Sequence, residues 1–348
     1  MTIAATRTAA TASLRPTRRR RRALVVAVLV VLVAAVGLAG LALGSKPLPP
    51  AEVWRALVAP DGGEASVIVR ELRLPRTILG LAVGLALAVA GVLLQALTRN
   101  PLAEPRILGI SAGASLGVVL AISVFGVGTL AGYVWFGIGG ALVAGAVVLG
   151  LAAGTRDGAS PVTLALVGAA LDASFGAVVV ALLAADARTF EEFRFWVVGG
   201  LAGRDVSVAL HVLPFIAAGV LMAMTVARGL DALTLGDDVA RGLGHRVGRV
   251  RVVGGVAAIL LTGAAVAAAG PIGFVGLAVP HLARALVGVD HRWTLLVSGL
   301  LGPALLVGAD VIGRLVAPPG EIPAGIITAL LGAPLLVILV RRVRTAAL

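Results

Sequence analysis

The sequence predicts an all-α membrane protein with about ten transmembrane helices, and its hydropathy carries this prediction. Hydrophobic residues make up 59% of the 348 residues and charged residues only 13%, against about 25% in soluble proteins. About 20 apolar residues are needed to cross the hydrocarbon core of a bilayer. The uncharged or nearly uncharged runs are 23–45, 77–98, 107–155 (two spans divided near Gly126), 158–185, 206–227, 252–269, a shorter span ending near 286, 293–313 and 322–340.

Composition and motifs argue against an enzyme. The chain has no cysteine, which excludes disulfides and thiolate metal sites. Its single lysine, Lys46, lies outside any phosphate-binding loop pattern, so a nucleotide site would have to lie on another chain. The four histidines have no metal-ligand spacing, and no nucleophile-elbow motif is present. We therefore expect no catalytic residue, no metal site and no cofactor bound by this chain.

The distribution of charge predicts the orientation. Residues 1–22 are a basic tail, expected to be cytoplasmic, and residues 23–348 form a single transmembrane domain. If both termini lie inside, most of the 29 basic residues fall in inside segments, as the positive-inside rule requires.

Three polar stretches interrupt the apolar background. The first, Glu71–Arg76, precedes the second span on the outer side. Arg76 would lie at a helix N-terminus, where the helix dipole disfavours a cation. Either an acidic partner or interfacial snorkelling accounts for it.

The second stretch, Gln95–Gly113, joins spans two and three on the inner side. Pro101 and Pro105 forbid one continuous helix, and Asn100 and Glu104 can bond the freed backbone groups. Both a functional segment and a plain loop fit this pattern.

The third stretch, Thr234–Gly244, predicts a short amphipathic helix at the inner surface. Thr234 with Asp237 fits a capping box, and Asp237 with Arg241 has i,i+4 spacing. A helix this short is not stable unaided, so it docks on the bundle or on a soluble partner. Its apolar positions with four-residue spacing are Leu235, Val239 and Leu243.

Two acidic residues fall at or near membrane depth, Asp172 and Asp310. An intramembrane carboxylate is a functional candidate by default. It could relay protons in a secondary transporter, or it could be paired within the bundle.

In their order and spacing, several motifs over about residues 50–342 resemble the FecCD family, the permease subunits of type II ABC importers for iron–siderophore complexes, haem and vitamin B12. The matching residues are Glu71–Arg76, Leu94–Gln95, Arg99–Pro105, Leu108–Gly109, Gly113–Ala114, Trp196, Gly199, Leu235–Gly236, Ala240–Arg241, Leu243–Gly244, Gly270–Gly276, Val279–His281, Asp290–Arg292, Asp310, Arg314, Glu321–Pro323, Gly325, Thr328, Ala329, Gly332 and Pro334.

The resemblance implies a BtuC-like bundle of ten spans in the cytoplasmic membrane of a prokaryote. It implies a second permease subunit, identical or different, two ATP-binding subunits that hold ATP and Mg, and an extracytoplasmic substrate-binding protein. No nucleic acid is expected as a partner. A ferric siderophore is the expected cargo, with vitamin B12 and haem as alternatives.

The resemblance also assigns roles to individual residues. Family arginines that dock the binding protein are matched by Arg73, Arg76 and Arg314. The coupling helix that enters the ATPase is matched by Leu235, Gly236, Asp237, Ala240, Arg241, Leu243 and Gly244. The translocation path and gate are matched by Gln95, Asn100, Leu102 and Ser160. Asp172 and Arg106 depart from the family pattern.

Two hypotheses from other classes compete with this one. A proton-coupled secondary transporter would use Asp172 and would need no ATPase. A membrane scaffold would show no substrate-dependent phenotype.

Overall fold

Every regular element in the part of the chain that the structure describes is helical, which confirms the predicted fold class. The computed structural model describes residues 3–153 and 161–346. A π-helical stretch, Ile68–Arg73, leads into α4, and a 3-10 turn, Pro105–Leu108, precedes α5. The helices are α1 (Ile3–Ala42), α2 (Pro50–Val58), α3 (Glu64–Val67), α4 (Leu74–Leu97), α5 (Ile110–Ser123), α6 (Leu130–Ala153), α7 (Pro161–Ala185), α8 (Ala187–Val197), α9 (Val206–Leu233), α10 (Asp237–Gly242), α11 (Val247–Ala269), α12 (Val275–Val287), α13 (His291–Val316) and α14 (Ala324–Ala346).

The ten predicted spans each correspond to a helix. By length and apolar composition, seven helices in the described residues can cross a membrane. The other three spans are the shorter apolar helices α5 and α12 and the apolar part of α14. The predicted boundary at residue 22 is not a break in the backbone, because α1 continues through it from Ile3.

The chain alternates between two ends of the bundle. We call the end that carries α10 the inner end and the opposite end the outer end. At the inner end, Arg22 Nε donates to the Val287 carbonyl at 3.2 Å. The His291 backbone N–H donates to Asp231 there at 2.9 Å. These bonds bring the middle of α1 and the beginning of α13 to the ends of α12 and α9, as an alternating course requires.

Helix α4 is the centre of the bundle, and glycines let its neighbours approach closely. In the most apolar stretch of the helix that ends at Leu97, 83% of the residues are buried. A Cβ on Gly91 would lie 2.0 Å from the Gly276 carbonyl oxygen of α12, and one on Gly84 would lie 2.6 Å from that of Gly302 in α13. Backbone therefore packs directly on backbone at both crossings, as small residues permit in membrane helices.

Helices α5 and α12 are too short to cross the bilayer. With 14 and 13 residues at 1.5 Å per residue, each spans only about two thirds of a 30 Å hydrocarbon core. The irregular segments that precede them therefore enter the bundle. A Cβ on Gly276 would lie 2.7 Å from Pro105 Cδ and 3.0 Å from the Leu87 carbonyl oxygen, near the middle of α4. Non-helical backbone is tolerated at this depth only inside protein or beside water.

Candidate functional site

The predicted amphipathic helix at the inner end exists, but it begins later than expected. Helix α10 starts at Asp237, after Gly236 with φ 104°, and ends before Gly244 with φ 82°. The predicted capping box is wrong, because the Thr234 hydroxyl donates to the Asp231 carbonyl at 2.7 Å.

The apolar positions of α10 and its flanks are exposed in this chain. Leu235, Val239 and Leu243 are 61%, 49% and 60% exposed, whereas Ala240 is fully buried against the bundle. One side of α10 thus packs against the bundle, and the other side is exposed.

Asp237, the first residue of α10, is surrounded by arginines. Its carboxylate accepts from Arg99 Nη2, and it lies 2.9 Å from Arg251 Nη2. The predicted i,i+4 pair with Arg241 is long, at 4.0 Å, because Arg241 lies closer to Asp238, at 2.7 Å. Asp237 therefore joins α10 to the end of α4 and to α11.

The segment between α4 and α5, residues 98–109 (the α4–α5 segment), has an exposed part and an anchored part. Asn100 and Leu102 are exposed, and the Asn100 side-chain oxygen accepts from the Leu102 N–H at 2.9 Å. Deeper in the bundle, the Glu104 carboxylate accepts from the Phe274 N–H at 3.4 Å. A carboxylate at this point meets the N-terminus of α12, where the helix dipole favours negative charge.

Gln95, predicted to line the path, lies inside the protein instead. It is 5% exposed, and its side-chain amide donates to the carbonyls of Gly276 and Leu277, both at 3.3 Å. Its oxygen accepts from Arg284 at 2.5 Å. Helix α12 begins midway through the bundle, beside Gln95. These contacts therefore join α4 to the start of α12. Ser160, the remaining predicted gate residue, lies outside the described residues.

Arg73 and Arg314 hold the outer end of α1. They are 7% and 5% exposed. The last carbonyls of a helix have no partner within it, and cations are favourable there. Arg73 and Arg314, predicted to dock the binding protein, therefore also bond carbonyls of this chain. The bonds, at 2.8–3.0 Å, run from Arg73 to Leu41 and Ala42 and from Arg314 to Gly40 and Leu43.

Arg76 is the predicted outer arginine that keeps a partly exposed partner. It bonds Asp310 at 2.7 Å on one side and Glu321 at 2.7 Å on the other. Asp310 is 2% exposed at its side chain and Glu321 is 36% exposed. The paired-acid interpretation of Asp310 is thus confirmed.

Asp172 lies on α7, a helix that is largely exposed in the described part of the chain. It is exposed near the middle of α7, and no hydrogen bond or ion pair joins it to another described residue. In the apolar stretch of α7 only 11% of the residues are buried. The described residues therefore leave the Asp172 face of α7 uncovered.

Arg204, which sequence analysis did not single out, is a buried cation at the outer end. It lies between α8 and α9, is 7% exposed, and its Nε has no hydrogen-bond partner within the described part of the chain. Burial lowers the pKa of Arg204 to about 10, and the neighbouring Tyr133 phenol partly offsets this effect.

The profile of the FecCD transport family matches residues 28–342. The chain belongs to the FecCD transport family. The ferric enterobactin permease protein FepD of Escherichia coli is 41% identical over 303 residues, 87% of this chain and 90% of FepD. The cobalamin import permease protein BtuC of Halobacterium salinarum is 42% identical over 284 residues, 80% of this chain and 74% of BtuC.

A solved structure supports the same conclusion. It is described as an inward-facing conformation of a protein assigned as a metal-chelate type ABC transporter. It matches with a TM-score of 0.80 and 29% identity, over 92% of this chain and 99% of that one. The resemblance identified from the motifs is confirmed, and this FecCD protein is a membrane permease of the ABC importer type.

Proposed function

We propose that this permease carries a ferric siderophore across the cytoplasmic membrane as part of an ABC importer. A separate ATPase would drive it, and a substrate-binding protein would supply it. The observation that carries the proposal is the uncovered apolar side of α10, formed by Leu235, Val239 and Leu243.

The ATPase would bind at α10. The helix has six residues, too few to be stable without contacts, and Ala240 fixes it to the bundle from one side only. Apolar side chains left exposed at a non-membrane end favour burial by a protein. ATP and Mg would bind to that partner, since this sequence has no phosphate-binding loop.

The binding protein would dock at the outer end. Arg76 supports this through its ion pair with the partly exposed Glu321, a contact within reach of an acidic group on a partner. Arg73 and Arg314 would contribute indirectly, by fixing the end of α1 beside this surface.

The substrate path would run along α7 against a second permease subunit. A carboxylate facing lipid at the bilayer centre costs about 2.5–3.5 kcal/mol or more, so Asp172 favours contact with water or protein over lipid. Asn100, Leu102 and Ser160 would form the gate toward the inner end.

The charge pattern supports the orientation. With the inner end toward the cytoplasm, the basic residues near Arg22 and α10 lie on the cytoplasmic side, as the positive-inside rule expects. Both termini would then be cytoplasmic.

A ferric siderophore is proposed as cargo because FepD, the relative for ferric enterobactin, covers most of this chain. The cobalamin relative keeps vitamin B12 as an alternative within the same mechanism, and haem remains open beside it.

The test is ATPase activity in lipid nanodiscs of this chain co-purified with the ATPase encoded beside it. Binding protein loaded with ferric siderophores, vitamin B12 or haem is added in turn. We expect one loaded binding protein to stimulate hydrolysis and thereby to identify the cargo. Arg241→Glu on α10 should abolish stimulation, whereas Arg249→Glu, an exposed arginine on α11, should preserve it.

A different result would favour the secondary transporter. If no ATPase co-purifies and the chain alone accumulates solute under a proton gradient, the importer proposal fails. Asp172, the exposed acid on α7, would then be the residue to substitute.

A further inference from the structure

Arg99 occupies an unusual position between α4 and the gate. It follows the end of α4 with φ 48°, a left-handed conformation that residues other than glycine rarely adopt. Asn100 and Pro101 come next, and the residue before a proline is kept out of the helical region. The backbone of the α4–α5 segment therefore changes direction at Arg99.

The side chain of Arg99 reaches the junction between α9 and α10. Its Nε donates to the carbonyl of Leu233, the last residue of α9, at 3.1 Å. Its Nη2 donates to Asp237, the first residue of α10. A cation is favourable at a helix C-terminus and an anion at an N-terminus. Arg99 therefore joins the α4–α5 segment to the end of α9 and to the start of α10.

A few residues farther on, the same segment is anchored in the middle of the bundle. Glu104 accepts from the Phe274 N–H at the start of α12, and Pro105 packs against Gly276. The exposed gate residue Leu102 lies between these anchors and Arg99. A shift of α10 relative to α12 must therefore move Leu102, as long as Arg99 stays attached to Asp237.

We infer that the Arg99–Asp237 ion pair transmits the movement of α10 to the gate at Leu102. Arg99 is a positioning residue, since it acts through the backbone of the α4–α5 segment. The inference rests on the proposed function, because it requires a partner that moves α10.

Arg251 offers a matched control. It binds the same Asp237 carboxylate at 2.9 Å, but it belongs to α11, and no hydrogen bond or ion pair among the described residues joins it to the α4–α5 segment. If the ion pair acts only as an anchor for α10, loss of Arg251 and loss of Arg99 should have similar effects.

The cysteine-free sequence allows a direct measurement. Leu102→Cys introduces a single thiol, and its rate of reaction with a water-soluble maleimide is followed in nanodiscs with the ATPase, with and without ATP. We expect ATP to change this rate in the Leu102→Cys parent. Adding Arg99→Gln should reduce the ATP-dependent change roughly tenfold, a typical size for coupling between sites, while ATPase assembly and basal hydrolysis persist. Arg99→Lys, which keeps the charge, should restore part of it, and Arg251→Gln should leave it intact.

The outcomes separate this inference from the function on which it rests. An unchanged ATP response in Arg99→Gln, or equal losses in Arg99→Gln and Arg251→Gln, overturns the transmission role but not the importer. If the unsubstituted chain assembles no ATPase, the proposed function fails and the inference fails with it. Should Arg99→Gln not fold, the comparison of Arg99→Lys with Arg251→Gln decides the question.

Discussion

Substituting Gly91 by alanine tests the backbone contact between α4 and α12. The new Cβ would lie 2.0 Å from the Gly276 carbonyl oxygen, more than 1 Å inside van der Waals contact, so α12 must move. Overpacking of this kind costs about 1–3 kcal/mol. The displaced carbonyl also accepts from Gln95, and a lost hydrogen bond adds about 1 kcal/mol. We therefore expect Gly91→Ala to cost about 2–4 kcal/mol.

The assay is the thermal unfolding midpoint of the purified chain in detergent. At about 2–4 °C per kcal/mol for a large domain, the midpoint should fall by roughly 5–15 °C. Gly139→Ala in α6 is the control, because a Cβ there meets nothing within 4 Å and alanine is the better helix former. Equal midpoints for the two variants would refute the close packing of α4 on α12.

Three further predictions concern single charged residues. Arg73→Gln should lower the unfolding midpoint, because charged hydrogen bonds of about 1.5–3 kcal/mol to the end of α1 are lost; an unchanged midpoint with weaker binding-protein affinity would instead restore its docking role. Arg204→Leu should raise the midpoint, since burial lowers the pKa of Arg204 to about 10, a shift that corresponds to about 3 kcal/mol of unfavourable burial; a lower midpoint would reveal an unseen anionic partner. Asp172→Asn should retain ATP-driven uptake in proteoliposomes without a proton gradient; uptake that requires a proton gradient and is lost in Asp172→Asn would instead support the secondary transporter.

The number and order of the spans could be predicted because membrane crossing depends on the composition of a local window. Each predicted span corresponds to a helix, and the shorter span ending near residue 286 is the separate helix α12. The length of α12 was also readable, since its apolar run is short. The hydropathy of a segment depends only on its own residues, so it does not change with the packing of neighbouring helices.

The partners of charged side chains could not be predicted in the same way. Arg314 bonds the carbonyl of Gly40, 274 positions away in the sequence, and no local pattern indicates such a contact. The capping box failed for a related reason. The Thr234 hydroxyl lies within reach of the Asp231 carbonyl in the last turn of α9, while tertiary contacts hold Asp237. Whether a side chain bonds a local or a distant partner therefore depends on the tertiary fold.

Helices α5 and α12 span only about two thirds of the hydrocarbon core. The irregular segments that precede them lie inside the bundle and can move without exposing backbone to lipid. Around the start of α12, polar groups of α4 and of the α4–α5 segment take up the free backbone groups, as Gln95 and Glu104 do. The crossings of α4 with α12 at Gly91 and with α13 at Gly84 are both backbone on backbone, and Arg76 with Asp310 adds an ion pair between α4 and α13. Hydrogen bonds to side chains can exchange at small cost, whereas interlocked glycine contacts cannot shift without overlap. Motion started at α10 should therefore displace the α4–α5 segment, while α4, α12 and α13 stay fixed where their glycines interlock.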